Sequence, residues 1–314
     1  MTDAERWLQH EQRQQNRIAE NRERGTPARL EERMPISLCQ YFVLHTEEGA
    51  WLGRKYPRIR ADGPDGFELS SLLAPDMLLG LFRDMAIGSG TVDFFYTPIT
   101  RRHAQQIFAH CTAMRSGEIV FPFPALDDRF CELVCPTDYW EGASLDGERL
   151  AQEEAHFRQA CQALFAARLA PRAAVFDPAC STGDFIAGLA RGDPRLRYAG
   201  SDISEAMVHQ ARARHAATEV DFAVADAGSS QGPCCDALVL RFLNAEVVAR
   251  CEAEQYFRHL SHRVRPGGLI VVFGHTPVVC PVRWLCHELA LNIRSALEST
   301  PDGRLFQFYV VEMP

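Results

Sequence analysis

From residue 148 onward the chain alternates short apolar runs with longer stretches whose apolar residues recur at helical spacing. The runs are AAVFDPA, RLRYAGSD, VDFAVAD, ALVLRFL and LIVVFGH. A helix-like stretch, GERLAQEEAHFRQACQALFAARL, leads into the first of them, and ISEAMVHQARARH and the residues from about Glu246 to Val264 separate later ones. Runs this short and apolar, divided by helices, predict a parallel sheet buried on both faces. Right-handed crossovers make such a sheet doubly wound. The expected fold class is α/β, with a doubly wound, mostly parallel sheet over residues 148–314.

The first half is less regular. Residues 3 to 24 have helical composition, but Trp7, Leu8 and Ile18 are sparse for a core-facing stripe. They read as a solvated helix or frayed terminus, or as a lid or dimer arm. Gly25, Thr26 and Pro27 then break the helix. SLCQYFVLH and YPRIRA are strand-like. Residues 69 to 87 carry apolar residues at helical spacing with Pro75 near the start, which predicts a helix. TVDFFYTPI predicts a strand, Arg102 to Met114 a helix, and EIVFPFP a short extended segment. Residues 1–147 are therefore expected to form a mixed α and β lid or substrate region beside a domain at 148–314.

Length and charge narrow the partners. The 314 residues are enough for an α/β domain and a smaller second one. The net charge of −8 gives no electrostatic reason to bind a nucleic-acid backbone. The local run Arg54, Lys55, Arg58 and Arg60 reads as a solvated face. No apolar run reaches the ~18 residues of a membrane span, and the polar N-terminus is not a secretory signal. A cytoplasmic location is expected, with no membrane partner. The 11 cysteines include no C-x-x-C pair. Neither Cys131 with Cys135 nor Cys286 with His287 has a second pair at zinc spacing, so no metal is expected.

The candidate chemistry lies at the predicted strand ends. The first run ends at Asp177, and the turn Asp177-Pro178-Ala179-Cys180-Ser181-Thr182-Gly183-Asp184 opens a helix. Small residues in a tight strand-to-helix turn leave room for a ligand beside backbone N–H groups. Asp202 closes the next strand, nineteen residues beyond Gly183, where an acid accepts hydrogen bonds from ribose hydroxyls. Asp226 follows the third strand, where an acid accepts from an adenine amino group. Helix capping is the alternative for Asp177 and Asp202, and a plain loop acid for Asp226. A nicotinamide dinucleotide would call for G-x-G-x-x-G, and this turn has one glycine.

These motifs resemble the class I methyltransferases that use S-adenosylmethionine (SAM), with a weaker resemblance to bacterial azetidine-2-carboxylate synthases of the same fold. The matching pieces are VFDPACSTGDF, YAGSDISEAMV, DFAVADAG, LVLRFLNAE and VRPGGLIVVFGH, about half the chain. The resemblance implies a Rossmann-like domain with SAM as co-substrate or substrate. Where the family has three glycines, this chain has Ala179, Ser181 and Gly183. The implied SAM contacts are Asp177, Ala179, Ser181, Gly183, Asp202, Ile203, Asp226, Ala227 and Arg241. Tyr139, in Thr137-Asp138-Tyr139-Trp140, is expected against the methionine sulfonium, with a core anchor between the two halves as the alternative. Asn244, near the end of the fourth strand, is a candidate substrate contact, and His275 a candidate base. The expected function is methyl transfer to a small-molecule acceptor in bacterial-type specialised metabolism. The alternatives are cyclisation of SAM to azetidine-2-carboxylate with release of methylthioadenosine, and SAM binding without turnover. A homodimer remains open.

Overall fold

A computed structural model describes residues 3–34, 38–56, 58–59, 67–68, 71–127, 129–136, 139, 154–229 and 234–314. The chain divides into two compact units: Met1–Glu132 with Leu297–Phe306, and Leu133–Ala296 with Gln307–Pro314.

The first unit contains α1 (Asp3–Arg24), β1 (Ala28–Arg33), β2 (Tyr41–Thr46), β3 (Gly49–Arg54), the short pair β4 (Arg58–Ile59) and β5 (Phe67–Glu68), β6 (Leu78–Ile87), β7 (Thr91–Pro98), α2 (Arg101–Met114) and β8 (Glu118–Val120). Its main sheet runs β1-β7-β6-β3-β2-β8 with antiparallel neighbours. Successive side chains point to opposite faces, so β2 sends Tyr41 to one core and Phe42 and Leu44 to another. α2 contributes Ala104, Ile107, Phe108 and Cys111 to the second core. α1 places Ile18 in the first.

Two expectations for this half fail, and so does one of the two readings of residues 3 to 24. The segment expected as a helix from 69 to 87 is a short 3-10 turn, Pro75–Met77, followed by the strand β6. A continuous apolar run fits either period, and pairing decided the case. β6 and β7 form a hairpin across Gly88 and Gly90, and Gly80 lies so close to β7 that a Cβ there would sit 2.1 Å from the Thr97 carbonyl oxygen. α1 is neither frayed nor merely solvated. Glu11 takes hydrogen bonds from both terminal nitrogens of Arg54 at 2.7 and 2.5 Å, Gln14 donates to the Glu31 carbonyl, and Asn21 donates to Tyr96 Oη. The basic run is likewise not a solvated face at Arg54, which is fully buried, or at Lys55, which is 3% exposed. The side chains of Arg58 and Arg60 lie outside the described residues.

The second unit contains α3 (Ala155–Arg168), β9 (Ala174–Asp177), α4 (Asp184–Gly192), β10 (Arg197–Asp202), α5 (Glu205–Arg214), β11 (Val220–Val224), β12 (Cys235–Leu240), α6 (Arg250–Ser261), β13 (Val264–Val272) and α7 (Val282–Glu288). β14 (Asn292–Ser299) and β15 (Leu305–Glu312) add to its sheet through Asn292–Ala296 and Gln307–Glu312, their remaining residues belonging to the first unit. The order is β14-β15-β13-β12-β9-β10-β11, with β13, β12, β9, β10 and β11 mutually parallel and β15 antiparallel to β13. The sheet is the doubly wound α/β arrangement expected from the apolar runs. Its core includes Phe273, which stacks on Phe157 and Phe308 with ring centroids 4.5 and 5.6 Å apart. The helix expected from Glu246 begins only at Arg250. Before it, Glu246 adopts φ +71° in a turn where the Asn244 carbonyl accepts from Val247 and Val248. Among the described residues, no helix is long and apolar enough to cross a membrane.

Candidate active site

Because β12, β9, β10 and β11 are parallel, their carboxyl ends share one edge of the sheet. The chain runs from β9 outward to β11 and then returns to the other side of β9 as β12. The switch point therefore lies between β9 and β12, where open α/β sheets form their ligand crevice. Asp177 closes β9 and Arg241 follows β12, with Arg241 Nε 3.4 Å from Asp177 Oδ2.

The turn after β9 is held from the neighbouring strand. Ser181 adopts φ +52°, and its N–H donates to Asp202 Oδ2 at 2.8 Å. The other Asp202 oxygen accepts from Ser204 N at 3.0 Å, and Ser204 Oγ caps α5 by accepting from Met207 N. Asp202 thus ties two loops together, and Ser204 rather than Asp202 supplies the helix cap. Asp177 accepts from Ala179 N at 3.1 Å. Gly183 has φ +77°, and a Cβ there would lie 2.7 Å from the Phe222 ring. Asp184 points to Arg214 and His215, at 2.7 and 3.1 Å.

Beneath the turn lies a charged group that the sequence pattern did not expose. Arg241 Nη1 donates to Glu154 Oε1 at 2.6 Å, and its guanidinium lies over the Phe185 ring. Glu154 is 7% exposed and Asp177 fully buried. Burial pushes the Asp177 carboxyl up to about 6, against the opposing pull of Arg241. Burial also raises Glu154, again opposed by Arg241. For Arg241 itself burial acts downward, but Glu154 and Asp177 outweigh it and the net shift is upward. Arg241 thus serves both carboxylates, and Arg158 is near enough to Glu154 to oppose its rise as well. Asp177 Oδ2 and Arg241 Nε are buried without a hydrogen bond.

At the third strand end, Asp226 is exposed and organises a turn: its Oδ1 accepts from Gly228 N at 2.7 Å and its carbonyl from Ser229 N at 3.0 Å. Ala227 is half-buried beside it, and Ile203, after β10, is 62% exposed. Asn244 is 2% exposed and donates to Thr276 Oγ1 at 2.5 Å, while its Oδ1 is buried without a hydrogen bond. His275 is half-buried in the loop after β13. Tyr139 is 54% exposed. Thr137, Asp138 and Trp140 lie outside the described residues.

A family profile described as a methyltransferase domain matches residues 175–268, the stretch that carries β9 to the start of β13. Isonocardicin synthase of Nocardia uniformis subsp. tsuyamanensis is 32% identical over 274 residues, covering 83% of this chain and 87% of that protein. The chain belongs to this family of SAM-dependent, methyltransferase-fold enzymes. Among solved structures, magnesium protoporphyrin IX methyltransferase from Synechocystis PCC 6803 with bound S-adenosylhomocysteine is 18% identical, with a TM-score of 0.45, over 56% of this chain and 97% of that one. The N-methyltransferase NodS from Bradyrhizobium japonicum WM9 is 17% identical, with a TM-score of 0.42, over 55% and 94%. These two likenesses concern the fold alone.

Glu154 was the main omission of the sequence reading. It sits in the helix-like stretch GERLAQEEAHF among other acids, where nothing distinguishes a buried carboxylate from a solvated one. Gly183, by contrast, was legible. Gly183→Ala is expected to cost about 1 to 2 kcal/mol from the left-handed backbone alone, with Phe222 displaced in addition. Denaturant unfolding of the two proteins measures it.

Proposed function

We propose that this enzyme binds SAM across the carboxyl ends of β9, β10 and β11 and transfers its methyl group to a small-molecule acceptor in specialised metabolism. Asp202 takes the ribose hydroxyls, Asp226 and Ala227 flank the adenine with Ile203 against its face, and the Asp177–Gly183 turn holds the methionine part. Tyr139, Asn244 and His275 are the candidates at the reacting end. One observation carries the assignment of the ligand's charge. The three carboxylates Glu154, Asp177 and Asp202 outnumber the two guanidiniums that act on them, Arg241 and Arg158, so the cluster favours a cationic ligand, and SAM brings a sulfonium and an ammonium. The cytoplasm, where SAM is made, is the compartment this reading implies.

A second reading has a specific observation behind it. Ser181 holds a left-handed backbone that glycine would adopt without strain, an expense of roughly 1 kcal/mol or more that tends to persist where a side chain is used. A hydroxyl at that point alters the methionine site, and the relative that spans most of the chain is named a synthase. In this reading the α-amino group of SAM attacks its own γ-carbon. The C–N bond forms, the C–S bond breaks with its electron pair going to sulfur, and the nitrogen loses a proton, giving azetidine-2-carboxylate and methylthioadenosine.

Product analysis separates the two. S-adenosylhomocysteine formed in the presence of acceptor supports methyl transfer. Methylthioadenosine formed from SAM alone supports cyclisation. Neither product, with SAM still bound, would return the chain to a non-catalytic SAM binder.

A further inference from the structure

The turn Asp226–Ser229 is shaped from below by one side of α6 and the residue that follows it. Tyr256 and His259 lie three residues apart on α6, and Arg263 follows four residues later in the turn into β13, so all three face the same way. His259 Nε2 donates to the Ser229 carbonyl at 2.7 Å, and Arg263 Nη2 donates to the same oxygen. Two donors on one carbonyl use both of its lone pairs. They also fix the orientation of the peptide unit that leaves the turn. Arg263 is 9% exposed, so this is a buried guanidinium aimed at a main-chain oxygen rather than a solvated one. The Tyr256 ring lies against Gly228, where an added Cβ would be 3.2 Å from Cε1, and it packs edge-on against Phe242. The phenol is also near enough to Asp226 to feel its charge.

We propose that Tyr256, His259 and Arg263 form a positioning face that sets the Asp226–Ser229 turn and through it the recognition of the purine of SAM. The inference rests on the reading that Asp226 and Ala227 flank the adenine. Asp226 is exposed, and one of its oxygens is spent on its own turn, so the direction of the remaining oxygen depends on how the turn is held. β11 stops at Val224, Ala225 N still donates to the Asp202 carbonyl at 3.0 Å, and among the described residues no strand pairing reaches Asp226–Ser229. The hydrogen bonds from α6 and Arg263 supply the restraint that the sheet does not. Loss of either donor frees the turn without touching the methionine end, so it acts on SAM recognition and not on the chemical step. These are positioning residues, not catalytic ones.

The test uses the full chain and whichever product the enzyme releases from SAM. His259→Ala and Arg263→Met are each expected to raise KM for SAM by about 5- to 20-fold, the range of one or two hydrogen bonds. Both should leave kcat at saturating SAM within about twofold. They should also narrow the preference for SAM over its inosine analogue, because a loose turn reads the base edge poorly. His259→Gln, which keeps a donor, should recover most of the loss. Parallel losses of kcat and melting temperature with KM and base preference unchanged would overturn the proposal and leave α6 as packing only. Asp226→Asn is the control on the underlying reading. If it changes base preference while His259→Ala and Arg263→Met do not, the positioning face is wrong and the adenine site stands. If it changes nothing, the adenine assignment falls and the inference falls with it.

Discussion

Replacing Arg241 with Met is expected to destabilise the protein by about 3 to 5 kcal/mol near neutral pH, the usual consequence of stranding a buried carboxylate without its partner. The guanidinium stands between Glu154 and Asp177, and both carboxyls are held above their ordinary values by burial. In the native protein Asp177 sits at about 6, above the unfolded value near 3.9. The folded state therefore holds this proton more tightly than the unfolded chain does. The stability contributed by the protonated group is fully present below about pH 4 and is lost as pH rises through about 6, after which the curve is flat with respect to this group. Without Arg241 the largest pull that lowers both carboxyls is gone, and the loss continues to higher pH. Urea unfolding at pH 5 and pH 8 should show a small difference between variant and native protein at the lower pH and the full difference at the higher. Adding Asp177→Asn to Arg241→Met should recover much of the loss at pH 8, because the stranded charge is removed. Equal stability of Arg241→Met and native protein at pH 8 would mean that the guanidinium is not the counter-charge.

Asp202→Ala is expected to weaken binding of SAM or S-adenosylhomocysteine by about 1.5 to 3 kcal/mol, roughly 10- to 150-fold, the range of hydrogen bonds to a charged group. The structure adds a cost to the fold. Asp202 accepts from the backbone N–H groups of Ser181 and Ser204, so its removal takes away one of the ties between the turn after β9 and β10, leaving that from Cys180 N to the Ser201 carbonyl. The helix α5 keeps its cap, because Ser204 Oγ holds Met207 N independently. A lower melting temperature should therefore accompany the affinity loss while helix content is retained. Calorimetric titration well below the melting point separates the two effects. Unchanged affinity in a folded variant would remove the ribose assignment.

The second unit was readable because its signals are local. AAVFDPA, ALVLRFL and LIVVFGH each carry the four to six apolar residues that a strand buried on both faces requires, RLRYAGSD and VDFAVAD supply β10 and the edge strand β11, which has no buried position, and β9 to β13 formed where these runs stand. The strand-end acids were readable for the same reason: a residue at the end of a parallel strand has its place at the crevice fixed by the strand itself. After His275 the apolar pattern loses its period, and α7, β14 and β15 went unassigned. In the first unit, residues 69 to 87 satisfied a helical spacing and became β6, because pairing with β7 and β3 outweighed a local preference.

What the sequence determined by itself was the order of strands and helices in the second unit and the placing of Asp177, Asp202 and Asp226 at strand ends. The charged groups were decided by tertiary structure alone. Glu11, Arg54, Glu154 and Arg241 are residue types that water normally surrounds, and each is buried here only because a partner from a distant part of the chain meets it. Hydrophobic burial follows from a side chain's own composition and leaves a periodic trace. The burial of a charge follows from the pairing that offsets its desolvation, and that pairing exists only once the chain has folded.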